Sequence, residues 1–175
     1  KYISAGPLAT PELSVEQAFE EIIHFANISK NGAEYIKSAI NESDNDKFEK
    51  LRQKLVKYEE ISDRIEFEIA TFLNEVTTEE ISESTSIKIK AMYKIIGELE
   101  SLGDSGEAIS RILSRKNINK KKFDNNSIKN LNAMADAVEQ AYNAMIENLT
   151  LAHKGELFNI LNANNAEDRL NTLRN

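Results

Sequence analysis

Two acidic pairs are the first residues in this chain whose types and spacing suggest chemistry. Glu59 with Asp63, and Glu100 with Asp104, each stand four residues apart. On an α-helix that spacing separates the members of a pair by about 40°, so each pair shares one face. Four carboxylates brought together repel, and a bound cation relieves the repulsion because hard cations take oxygen ligands. The same spacing also arises wherever an acidic helix turns Glu and Asp to water. A third pattern, Glu21 with His24, has the Glu-x-x-His form that supplies half of a carboxylate-bridged di-iron centre in helical bundles. Such a centre needs a second pair, and the other histidine, His153, has no Glu three residues before it. His24 therefore reads as structural. No Gly-rich phosphate loop, no Ser or Cys nucleophile with a base, and no zinc-hydrolase helix is present, so no catalytic residue is expected.

The elements that would position the acidic pairs follow from composition and periodicity. The 175 residues are 41% hydrophobic and hold two prolines, six glycines, no cysteine and no tryptophan. That is the composition of an all-α protein. Both prolines, with one glycine, fall in the opening KYISAGPLATPELS, which reads as a connector over residues 1–13. A first helix is expected from about Ser14 to Ile40, on Ile22, Phe25, Ala26, Ala33, Ile36 and Ile40. A second follows from about Asp46 to Val76, on Phe48, Leu51, Leu55, Tyr58, Ile65, Ile69, Phe72 and Val76. The cluster TTEEISESTS offers a third helix two starts, Thr77 with Glu80 three residues on, or a later cap near Ser82. Its stripe is Met92, Ile95, Ile96, Leu99, Leu102, Ile109, Ile112 and Leu113, and it ends in the polar run KNINKKKFDNN. A fourth spans about Ser127 to Ala152, with Gly155 at its end, and a fifth begins after it.

Long helices with short connections pack antiparallel. Helices one to three should close a three-helix bundle over residues 14–122, and residues 123–175 should begin a second one. The expected core includes Leu55, Ile65, Ile69, Phe72, Ile95, Leu99, Leu102 and Ile109. Both acidic pairs lie roughly 95° to 160° from the centre of their own helix's apolar stripe, off the core. The midpoint between them falls at residues 81 and 82, so a hairpin turning there sets them side by side. A turn at Thr77 would leave them about 12 Å out of level.

A net charge of −7 disfavours nucleic acid and anionic lipid surfaces except at a local basic patch. The dense one is Lys116 to Lys122, which reads as a solvated connector. No run of about 18 apolar residues exists, so no bilayer insertion by this chain is expected. The absence of cysteine fits a reducing compartment. The chain opens at Lys1 without Met and stops at Asn175 inside a helical pattern, so a piece of a longer protein is expected.

At the acidic pairs the sequence resembles a known family. KYEEISDRIEFEI, followed forty residues later by GELESLGDSGEAI, is similar to the paired helices of the PhoU family, whose hallmark is an acidic residue, three others, then Asp on each of two helices. The opening YISAGPLATPELSVEQAFEEI resembles the link after the last membrane helix of bacterial sodium-dependent phosphate cotransporters. The resemblance implies an antiparallel three-helix bundle repeat, one bundle complete and a second begun. It also implies a surface site for iron, zinc or another multivalent cation, which by position falls on Glu59, Asp63, Glu100 and Asp104. Ser101 stands where the family commonly has Arg, and Ala108 where it often has Asn. Glu167 and Asn171 have the matching spacing in the second bundle, where no second site is assigned. The function implied is a non-enzymatic regulatory and interaction domain on the cytoplasmic face of the inner membrane. Its partners would be the membrane domain of its own transporter and a second copy of itself, and it would modulate phosphate uptake. The alternatives are a free-standing PhoU-type phosphate-signalling regulator and a carboxylate-bridged metalloprotein.

Overall fold

The computed structural model describes residues 10–118 and 123–153, which form four long helices and, among the described residues, no strand. Helix α1 (Pro11–Asn41) begins three residues before the start expected at Ser14. Thr10 is its N-cap, with extended backbone and a side chain that accepts a hydrogen bond from the Leu13 amide at 3.3 Å, and Pro11 opens the first turn. Proline suits that position because its missing N–H would have no helical acceptor there. The TPE segment, read in the sequence as connector, is thus a helix start.

Asp44 caps α2 (Asn45–Val76), accepting from the amides of Asp46 at 2.9 Å and Lys47 at 3.0 Å. Those bonds hold its carboxyl below the usual carboxylate range. Of the two candidate starts for α3 (Glu83–Ile118), the later is taken. Ser82 accepts from the Thr85 amide at 3.2 Å, whereas the Thr77 and Thr78 hydroxyls donate back to α2 carbonyls at 2.7 Å each and close that helix. Helix α4 (Asn125–His153) starts on Asp124, which accepts from the Ser127 amide at 2.7 Å. The expected end at Gly155, the fifth helix, Glu167 with Asn171, and the side chains of Lys116 to Lys122 lie outside the described residues.

Helices α1, α2 and α3 pack on one another pairwise, and α4 packs on α1. Connections and side-chain contacts fix the directions. Tyr35 meets Tyr58 with ring centroids 5.3 Å apart, and the short connection between Asn41 and Asn45 turns α2 back along α1, so the two run antiparallel. The Tyr93 hydroxyl donates to the Ala70 carbonyl at 3.1 Å across the expected α2–α3 hairpin. Between α1 and α4, Lys37 bridges Asp136 at 2.6 Å and Glu139 at 3.1 Å, while Asn41 and Asn132 exchange amide hydrogen bonds. At the opposite ends of those two helices His153 lies between Glu16 and Glu20. Helix α1 is therefore the central element, covered on three sides.

The core forms two clusters. The larger holds Val15, Ile22, Phe25, Ile65, Ile69, Leu73, Met92, Ile96 and Leu99, joined by Tyr142 and Leu149 of α4. The smaller holds Ala39, Ile40, Phe48 and Leu113. Of the expected core, Leu55, Ile65, Ile69, Phe72 and Leu99 are buried, and Ile95 and Ile109 half-buried. Leu102 is 38% exposed and Ile112 56%. The inward stripe of α3 instead runs Ile89, Met92, Ile96, Leu99, Gly103, Gly106, Ser110, Leu113. Between Leu99 and Leu113 it is made of small residues that hydrophobic periodicity does not register.

Candidate functional site

The α2–α3 hairpin places the acidic pairs by its register. Ala70 lies seven residues after Asp63 and Tyr93 seven before Glu100, so the Tyr93–Ala70 hydrogen bond brings Asp63 within about a turn of Glu100, whose carboxyl feels its charge. Four residues further on, by the same register, Glu59 comes within about a turn of Asp104. Both pairs therefore lie along one α2–α3 seam, as the turn near residues 81 and 82 implied. Glu59 and Glu100 are half-buried, whereas Asp63 and Asp104 are exposed.

Like charge gathers at this seam. Burial raises the Glu100 carboxyl above its ordinary range, and the charges of Asp104, Glu66 and Asp63 and a hydrogen bond with Asp104 raise it further. Glu66, half-buried three residues after Asp63, is the acid that pair-by-pair reading misses. It was visible as the third member of an i, i+4, i+7 series in KYEEISDRIEFEI. Among the described residues neither Lys57 nor Arg64 forms an ion pair with Asp63, Glu100 or Asp104; basic side chains pair elsewhere, as Arg52 does with Glu49 at 2.7 Å. The donor set is all carboxylate, which suits a hard cation. It is not a closed cage, for among the described residues no three His, Cys, Asp or Glu side chains gather closely enough to hold a metal ion. Asp104 already meets Glu100, so holding one requires the exposed Asp63 side chain to rotate toward that pair.

A raised carboxyl carries a definite pH signature. Folding takes up a proton at Glu100 between the unfolded pKa and the higher folded one, so this group's contribution to stability falls as pH rises through that window. Glu100→Gln should therefore melt at a higher temperature than the parent at neutral pH, and the gap should shrink as pH drops below the carboxylate range. Thermal melts by circular dichroism at several pH values check this. A lower melting temperature for the variant at neutral pH would contradict the like-charge reading.

The histidines sit apart from this seam. His24 is exposed, with Nδ1 3.5 Å from Glu21. His153 stacks on Phe19 with ring centroids 5.7 Å apart and contacts Glu16 and Glu20, each at 3.4 Å. Both acids come from another helix, so sequence spacing could not reveal the contact.

A cavity of about 150 Å³ lies where the two core clusters meet. All four helices line it, and Glu59 is on its wall. No helix among the described residues is long and apolar enough to cross a membrane. The chain matches no protein-family model, and neither a curated protein nor a solved structure matches it significantly.

Proposed function

We propose that this chain is a PhoU-like regulatory and interaction domain of a bacterial sodium/phosphate symporter, positioned on the cytoplasmic face of the inner membrane and not an enzyme. In this reading residues 14–122 are one three-helix bundle and residues 123–175 the start of a second. The domain biases phosphate uptake through contacts with the membrane domain of its own transporter, and it can pair with a second copy of itself. The α2–α3 seam takes iron, zinc or another multivalent cation through Glu59, Asp63, Glu100 and Asp104, with Glu66 adjoining.

The observation that supports this reading is the seam itself. Two acidic pairs from two helices come near one another, and burial, with the charges of Asp104, Glu66 and Asp63 added to it, raises the Glu100 carboxyl. A cation bound there offsets that repulsion and ties α2 to α3, which couples cation supply to the shape of the bundle surface. The three mutually packed helices supply the frame the family resemblance requires.

The test is sodium-driven uptake of radiolabelled phosphate in cells carrying the gene intact or lacking the codons for residues 14–175. The expected result is a change of at least about two-fold in uptake or in its dependence on external phosphate, roughly the span of a weak allosteric coupling. Unchanged uptake would sink the proposal. So would a reading frame with no membrane segments upstream, which favours the free-standing regulator.

A further inference from the structure

We propose that the cavity between the two core clusters is a binding site for a small, neutral, mainly apolar molecule about the size of benzene. The proposal is independent of the cation seam. It starts from what the four helices place at one level: Gly32 and Ala33 on α1, Ser62 on α2, Gly103 and Gly106 on α3, and Ala135 on α4. Larger side chains above and below this level fill the core, so the space left here is about 150 Å³. The space opens to solvent between α4 and the α2–α3 pair, where Leu102 and Met134 on its rim are exposed, and a small apolar guest seated in it would remove apolar wall from water. Ile36, Leu55, Ile109, Leu131 and Met134 provide the apolar wall.

Features of the wall define the guest. At Gly106 a Cβ would come within 2.7 Å of Ile36 Cδ1, so this glycine lets α3 lie close against α1 and sets the width of the space. Tyr142 is buried on the wall, and burial pushes its phenol well above the ordinary range, so it stays neutral and able to donate. Glu59 on the same wall disfavours an anionic guest. The ligand class is thus a compact aromatic or aliphatic body with at most one hydrogen-bond acceptor.

The experiment is a titration of the whole chain, with its methyl groups labelled for NMR, against benzene and then phenol. Saturable shifts of the Ile36, Ile109, Leu131 and Met134 methyls are expected. In Ala135→Leu, which puts a larger side chain into the space, binding should weaken at least ten-fold. Gly103→Leu, on the α3 wall, serves if that variant does not fold. Absence of saturable shifts in the parent, shifts confined to residues off the cavity wall, or undiminished affinity in a folded filled variant would each overturn the proposal. The parent's shift map decides the matter even if neither variant folds.

Discussion

Phe25→Ala should destabilise the chain by about 3–5 kcal/mol, the usual loss when a buried aromatic ring is cut back to a methyl group. Phe25 is fully buried on α1, the helix that contacts each of the other three. Its cluster draws on α2, α3 and α4 together, so the void cannot be closed by shifting one neighbour. Net folding stabilities are only about 5–15 kcal/mol, so such a loss removes a large part of the margin. Urea unfolding followed by circular dichroism measures it. The matched control is Phe67→Ala on α2, where the ring is 72% exposed and the change should stay within about 0.5 kcal/mol. Similar losses for the two variants would mean that α1 is not the centre of the core.

The second large effect belongs to the carboxylate seam. A multivalent cation that binds the folded hairpin and not the unfolded chain stabilises it by mass action, by about 2.7 kcal/mol at one hundred times its dissociation constant. Asp63→Asn with Asp104→Asn removes a charge from each pair while keeping side-chain size. Both side chains are exposed, off the buried stripes, so the variant should fold. Without metal it should be at least as stable as the parent, since it carries two fewer like charges beside Glu100. Added metal should raise the parent's melting temperature by several degrees and leave the variant's unmoved. A metal-dependent rise of equal size in both would place the cation elsewhere.

Much of this fold is legible in the sequence because its long helices carry strong apolar periodicity. Helix α2 was expected from Asp46 to Val76 and runs Asn45–Val76, with Asp44 as its cap. The hairpin that carries both acidic pairs was legible too, since its turn was placed near residues 81 and 82, but among the described residues no three of these side chains come close enough to hold an ion. What escaped the sequence did so for physical reasons. The start of α1 was hidden by Pro11, a helix breaker everywhere except the first turn, where the Thr10 cap puts it. On α3, Leu102 and Ile112 drew the eye because they are apolar, whereas the positions that face inward there are Gly103, Gly106 and Ser110. The cavity followed from that substitution of small residues for large ones, and pattern reading registers only the large. Glu16, Glu20 and His153 meet across α1 and α4, a contact that depends on tertiary packing.

Isothermal titration calorimetry of iron, zinc and magnesium into the parent and the Asp63→Asn, Asp104→Asn variant tests the proposed cation seam most directly. The parent should bind at least one of these ions with a defined stoichiometry, and the variant should bind it at least ten-fold more weakly or not at all. Stoichiometry and affinity unchanged by the two substitutions, or no binding of any of the three ions by the parent, would contradict it.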